Sequence, residues 1–452
     1  MSSPESATPG GQERGLAAFF RLRERGTTVG REVMGGLTTF LTMAYIIAVQ
    51  PTFMVAAGMP REGAILATCV ATAAATILMG LLANYPIALA PGMGLNAFFT
   101  YSICLGAGVP WPTALGLVFW SGVLFLLLSV TGVRALITRA VPKTLRLSAA
   151  AGIGLFLAFI GLQQGGLVGD HPVTLVTLSE VTAAPALLTL AGLAVILVLA
   201  ARGVGLALFG GIVATLILAL ATGWLPFPDR LFAWPQGPLP GLSIDLWGAL
   251  RLEYLPLIFV LLFFDLFDTL GTLLAVGQEA ELVDEEGQLP RLEKALTADS
   301  VGTVAGALVG TSPVTSYVES GAGVSVGART GLSSLVVGGL FLLATVAAPL
   351  AVLVSAGGEE GLNPVTAPAL LWVGVLMARA LRQVPWDDLT EAAPAFFTAL
   401  LMPLTYNIAH GLSAGILIYA LGKAAAGRGR EVHWLLYVLS ALLVLRYAFL
   451  PL

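Results

Sequence analysis

Long apolar runs separated by short polar punctuation fill almost the whole chain, and many reach about 17 to 25 residues, enough for a helix to cross a hydrocarbon core. The pattern predicts spans near 31–50, 62–82, 86–107, 112–133, 147–166, 184–201 and 203–223. A second set follows near 252–276, 293–310, 313–328, 330–356, 364–382, 390–406 and 409–426. The chain therefore reads as an all-α polytopic membrane protein with fourteen transmembrane segments, in two sets of seven. Residues 1–30 lack the central apolar block of a secretory signal and read as a cytoplasmic tail ending in an amphipathic segment. The stretch at 432–450 reads as an interfacial helix or an extra span; Arg446 and the aromatic residues near both ends favour the interface.

Two of the spans break the helical pattern. In "ATCVATAAATILMGLLANYPIALAPGMGLNAFF" (67–99) and "LTADSVGTVAGALVGTSPVTSYVESGAGVSVG" (296–327), a helix rich in small residues precedes a Pro in a short β-prone stretch. A Gly-x-Gly then leads into another helix. Pro86, Pro91 and Pro313 cannot donate backbone hydrogen bonds, and the β-branched and aromatic residues around them favour extended chain. Extended backbone at membrane depth is tolerated only where it is paired or lines a cavity. The spans at 86–107 and 313–328 are accordingly expected to be discontinuous, each a short strand followed by a half-helix. Because seven is odd, the two halves are inverted relative to each other, as in secondary transporters.

Charge orients this arrangement. With the N-terminus in the cytoplasm, only Arg61, Arg230 and Arg251 fall on outside segments; Arg446 lies in the terminal stretch, and every other Lys and Arg falls inside, as the positive-inside rule requires. Composition agrees: 57% of the 452 residues are hydrophobic and 11% charged, against about 25% charged in soluble domains. Cys69 and Cys104 both lie in apolar segments and read as small buried residues. The connections are too short for a separate soluble domain. The sequence contains no phosphate-binding loop and no metal-ligand cluster, so no cofactor, metal or nucleic-acid partner is expected, and any energy source is a gradient across the bilayer.

The candidate chemistry is acidic. Asp265 and Asp268 lie three apart in "LIFVLLFFDLFDTLGTLL" (257–274), on one side of the predicted helix, and Glu319 sits at the second strand-to-helix break. One carboxylate near the bilayer centre costs about 2.5–3.5 kcal/mol on insertion scales. The three together point to a substrate and proton site, with Asp268 the one best suited to a plain capping or hydrogen-bonding role. Asn96 can face the same cavity, Asp299 ties neighbouring helices, and Thr42, Tyr45 and Gln50 of the first span are polar enough to line a path.

"GGLTTFLTMAYIIAVQP" (35–51), "ALAPGMGLNAFF" (88–99), "FFDLFDTLGT" (263–272) and "TSPVTSYVESGAGVSVGARTGL" (311–332) resemble the AzgA-type purine permeases. These belong to the nucleobase–ascorbate (nucleobase–cation symporter 2) transporters. The resemblance implies proton-coupled uptake of hypoxanthine, adenine or guanine at the cell membrane. It implies a core domain made of 31–133 and 252–356 and a gate domain made of 147–223 and 364–426. It also implies that Asp265 and Glu319 bind substrate, that Asp268 is required for activity, and that Asn96 of the first broken helix matters for transport.

On this reading Glu319 and Asp265 grip opposite edges of a purine, because a carboxylate accepting two N–H groups recognises a neutral planar base directionally. Ala90, Gly94 and Asn96 on one side, and Ser320 and Gly321 on the other, supply the polar backbone around it, while Phe264 stacks on the ring (Phe263 and Tyr317 being the other aromatic candidates). A carboxyl group shut away from water can carry a proton at neutral pH, so Asp265, Asp268 and Glu319 are the proton-coupling candidates. The alternatives are an anion transporter or exchanger of the same fold, a uracil- or xanthine-type permease, a channel, and an intramembrane aspartyl protease. The last would place its two aspartates on separate helices. The expected partners are the purine, the proton and the lipid bilayer, and a homodimer is compatible with the sequence.

Overall fold

The computed structural model describes residues 15–131, 142–228, 230–235, 237–284, 289–356 and 362–449. The tail at 1–14 and the basic residues Arg134 and Arg139, which entered the orientation argument, lie outside them. The described residues are overwhelmingly helical, and among them seven helical stretches are long and apolar enough to cross a membrane, by length and composition.

A short helix α1 (Leu16–Phe20) precedes α2 (Val29–Met43) and α3 (Ile46–Ala56), which together make the first span and run on past its expected end at 50. α4 (Arg61–Leu82) leads to strand β1 (Leu89–Pro91) and the short α5 (Met93–Ala97). The chain continues through α6 (Trp111–Thr131), α7 (Lys143–Gln164), a hairpin β2 (Val168–His171) and β3 (Leu175–Leu178), α8 (Ala184–Ala201) and α9 (Ala207–Ala221). The second half begins with α10 (Leu255–Glu279) and α11 (Leu292–Val309), then strand β4 (Val314–Ser316) and α12 (Ser320–Val326). α13 (Gly331–Ala344), α14 (Ala348–Ala356), α15 (Ala367–Ala378), α16 (Leu389–Leu404), α17 (Ile408–Ala425) and α18 (Trp434–Phe449) complete it.

Both predicted breaks are present. The first is extended only over Leu89–Pro91; after α5 the chain winds as a nine-residue π-helix, Phe98–Gly106, a wide-turned form associated with functional sites. The helices fall into two packing groups. α7 packs on α15, α16 and α17, with α8 and α9 against α15; α4 packs on α3, α11 and α13, with α6 on α10 and α11, and α2 on α12 and α13. α5 against α7 and the π-helix against α17 join the groups. Within the second group α4 crosses the start of α13 so closely that a Cβ on Gly80 would lie 2.6 Å from the Gly331 carbonyl oxygen, the small-residue contact by which membrane helices approach.

Candidate functional site

The two extended segments solve each other's hydrogen-bonding problem. β1 and β4 pair antiparallel in the register Leu89↔Ser316, Ala90↔Thr315 and Pro91↔Val314. The Gly92 amide donates to the Pro313 carbonyl (3.1 Å) and the Tyr317 amide to the Ala88 carbonyl (2.9 Å), so the ladder continues past both strand ends. Matching threonines on α4 and α11 seal the outer edges. The Thr76 hydroxyl donates to the Leu89 carbonyl and accepts from the Leu89 amide; the Thr303 hydroxyl does the same at Val314. Buried amides left unpaired in a membrane would each cost several kcal/mol, and these devices remove that cost.

A cavity of about 630 Å³ opens beside this crossing, between α10, the start of α5, the first half of α7 and Met377 of α15. Its walls are mostly apolar, with Gly94, Leu95, Ile153 and the rings of Phe263, Phe264 and Phe267. Asp268 is its acid, and Lys143 and Arg146 stand on the α7 side. The Arg146 guanidinium lies 5.1 Å from the centre of the Phe267 ring, a cation–π contact between the two packing groups.

The acids take up separate positions. Asp268 is exposed to the cavity and close enough to Glu319 for their charges to interact. Glu319 is half-buried at the start of α12; its side chain does not cap that helix but accepts a 2.8 Å hydrogen bond from the Tyr45 phenol. Asp265, expected to grip a purine directly, is fully buried behind the cavity wall. Its Oδ2 lies 2.9 Å from the Thr303 hydroxyl, its Oδ1 has no partner, and Asp299 of α11 stands near enough for the two to interact. Asp265 and Asp268 are three apart on α10 without sharing an environment: Asp268 lines the cavity and Asp265 is sealed in the interior. The residue expected to cap thus faces the cavity, and the residue expected to bind faces the protein interior.

The other sequence candidates divide in the same way. Gly94 and Phe264 line the cavity. Asn96 does not: it is fully buried, accepts a 2.6 Å hydrogen bond from Ser312 and so ties α5 to the turn before β4, where Gln50 also donates. Ala90 is consumed by strand pairing opposite Thr315. The Ser320 hydroxyl accepts from the Ala88 amide at 3.0 Å, and Gly321 lies against the Glu279 carboxylate. Tyr317 is buried and donates to the Pro91 carbonyl rather than facing the cavity. Lys143, Arg146 and Phe267 were missed as site residues. The "KTLR" spacing of three could have suggested that both cations leave one side of α7, but nothing local shows that the helix start borders a cavity.

Comparison with known proteins decides the family. A family profile described as a permease family (Xan_ur_permease) matches residues 30–413. The chain belongs to that family. Its relatives include the adenine permease AdeP of Escherichia coli strain K12, 40% identical over 450 residues, covering 100% of this chain and 99% of AdeP. The guanine/hypoxanthine permease PbuG of Bacillus subtilis strain 168 is 43% identical, covering 96% of this chain and 100% of PbuG. The nucleobase transporter PlAzg2 of Paenibacillus larvae is 34% identical over 93% of this chain and 80% of its own length. These matches agree with the AzgA-type resemblance in the motifs, and the family is one of transporters rather than enzymes. Among solved structures, the transmembrane domain of the cyanobacterial bicarbonate transporter BicA superposes with a TM-score of 0.62 at 17% identity, covering 85% of this permease and 97% of that domain. The structure of SLC26A9 follows at 0.60 and 11% identity, covering 87% of the permease and 65% of that chain. At such identities the likeness shows the fold of the permease and nothing of its substrate.

Proposed function

We propose that this permease imports purine nucleobases, hypoxanthine, adenine and guanine, by proton symport with alternating access across the plasma membrane, its N-terminus in the cytoplasm. The observation that carries the proposal is the cavity itself. An apolar slot walled by three phenylalanines, with one carboxylate directed into it, suits a flat, neutral heterocycle that stacks on rings and donates N–H groups to an acid. Its size falls within the usual range of about 300–1,000 Å³ for small-molecule sites. The names of AdeP, PbuG and PlAzg2 support the same substrate class.

In this state Asp268 is the acid that meets the base, Glu319 is the second carboxylate at the crossing, and Asp265 acts from behind as a proton-holding group. Gly94 and Phe264 shape the slot. We assign the core to 31–133 with 252–356 and the gate to 147–223 with 364–426; the two helix-packing groups, and a cavity lined from both, support this division. Rocking of one group against the other exposes the slot to each side in turn. Lys143 and Arg146 of its lining belong to a segment that the positive-inside rule assigns to the cytoplasm, which supports reading this state as the inward-open one.

The test is uptake of labelled hypoxanthine by cells lacking their own purine permeases, at two external pH values, with unlabelled adenine, guanine, xanthine, uracil and sulfate as competitors. Acid-stimulated uptake, blocked by purines alone and abolished by Asp268→Asn and by Glu319→Gln in protein that still reaches the membrane, is expected. Competition by sulfate would favour an anion carrier, the reading to which Lys143 and Arg146 lend support and which Asp268 opposes.

A further inference from the structure

The cavity has a cationic side that the purine-binding reading leaves without a role. Arg146 lines it from α7, while Asp268 lines it from α10. The Arg146 guanidinium lies 5.1 Å from the centre of the Phe267 ring, the residue next to Asp268 in the chain. That contact uses none of its N–H donors. Its Nε is buried and has no hydrogen-bond partner among the described residues. Neither Arg146 nor Lys143 forms an ion pair with Asp268. The slot therefore holds a donor-only group and an acceptor-only group that do not satisfy each other.

The chemistry of the two groups decides what suits them. A guanidinium presents its N–H groups as a rigid planar fork that meets two adjacent acceptors at once. An ionised carboxylate offers acceptors alone. A flat base that satisfies both must carry two neighbouring acceptors on one edge and a donor on another. In their N9–H forms hypoxanthine and guanine do so: O6 and N7 are adjacent acceptors, and N1 carries a hydrogen. Adenine does not. Its 6-amino group is a donor beside N7, so it sets N–H against N–H at the fork, and its N1 carries no hydrogen. Lys143 is a weaker reader of such an edge, because its side chain is exposed and its ammonium is a compact, hydrated point charge without a fork.

We propose that Arg146 reads O6 and N7 of the bound base and makes the slot selective for 6-oxopurines, hypoxanthine and guanine, over adenine, with Asp268 accepting from N1–H. The assignment rests on the purine-binding reading of the cavity and names the subclass of base that the cavity takes. It gives the buried Nε side of the fork a reason to be left unpaired, since the partner arrives with the substrate.

The full chain, purified in detergent, is titrated calorimetrically with hypoxanthine, adenine and 7-deazahypoxanthine, which lacks the N7 acceptor. Wild type is expected to bind hypoxanthine about tenfold or more tighter than adenine, and 7-deazahypoxanthine about fivefold or more weaker than hypoxanthine. A glutamine amide pairs with the amino group and N7 of adenine, so Arg146→Gln should lower the hypoxanthine-to-adenine preference about tenfold or more. Equal weakening of both bases in Arg146→Gln overturns the assignment and marks a residue that serves only the packing against Phe267. An unchanged preference overturns it too, as does a wild type that favours adenine. If Arg146→Gln does not fold, the wild-type comparison decides, and 7-deazahypoxanthine binding as tightly as hypoxanthine overturns the assignment. Wild-type protein that binds none of the three removes the purine-binding reading itself, and the assignment with it.

Discussion

The Tyr45 phenol donates a 2.8 Å hydrogen bond to Oε1 of Glu319, joining the junction of α2 and α3 to the first turn of α12. The two residues are 274 positions apart, and the contact fixes the direction of an acid that leaves its own helix uncapped. A hydrogen bond to a charged group contributes about 1.5–3 kcal/mol. Tyr45→Phe is therefore expected to raise the KM for hypoxanthine by about tenfold or more while changing kcat less, and Glu319→Gln to do greater damage. Initial-rate uptake over a concentration series, normalised to protein in the membrane, measures both; an unchanged KM would mean that Tyr45 does not position the carboxylate.

Gly94 faces Ile153 across the contact between α5 and α7. A Cβ on Gly94 would lie 2.7 Å from Ile153 Cγ2, closer than side chains pack. Gly94→Ala should wedge the two packing groups apart in this conformation and slow transport. Ile153→Ala in the same protein should recover much of the rate by giving the new methyl group room. Transport rates of the two single variants and the double variant form the cycle; additive losses would place the effect elsewhere.

Glu32 anchors the start of α13. It is wholly buried, and its carboxylate accepts from the amides of Arg329 (2.8 Å), Thr330 (3.3 Å) and Ser333 (3.2 Å) at a helix start, the last shared with the Thr330 carbonyl. Glu32→Ala removes the acceptor and strands the first two of those donors, a loss of about 3 kcal/mol or more. Glu32→Gln keeps the shape and one acceptor and should cost less. Thermal unfolding in detergent should rank the Tm values wild type, then Gln, then Ala.

The end of α17 is held to the start of α16 by ion pairs. Arg428 contacts Asp388 at 2.6 Å and Glu431 at 2.7 Å. The Thr390 hydroxyl and then Arg428 hold the Asp388 carboxyl well below the usual carboxylate range, and Arg428 and then Lys423 lower that of Glu431. Groups whose folded values are depressed add stability above the ordinary carboxylate value, about pH 4, and lose it as the pH falls through the depressed values. Acid should therefore lower Tm below that point. Arg428→Gln should be less stable at neutral pH and less sensitive to acid; parallel Tm curves for the two proteins against pH would exclude the contribution.

Much of the architecture was legible because the bilayer is a severe solvent. Run lengths located the helices, since a backbone in oil must bond to itself, and Pro91 and Pro313 marked the two places where it could not. The same rule required those places to be paired or to line a cavity, and the register Ala90↔Thr315 shows that they pair with each other. The acids Asp265, Asp268 and Glu319 stood out for their cost in an apolar setting.

The roles within that acidic set were not legible. Residues three apart on a helix differ by only about 60° in direction, which periodicity treats as one face. Which of Asp265 and Asp268 meets the cavity depends on which elements pack around α10, and the cavity beside Asp268 is completed by residues of α5, α7 and α15. Asn96 looked like a cavity residue from its distance to the glycines, until Ser312 claimed its oxygen. Sequence by itself determined the membrane class, the interrupted spans and the family, because these follow from local chemistry and length. Tertiary structure alone decided which polar groups share a cavity and which are sealed behind it, because burial is a property of neighbours hundreds of positions away, as Glu319 is to Tyr45.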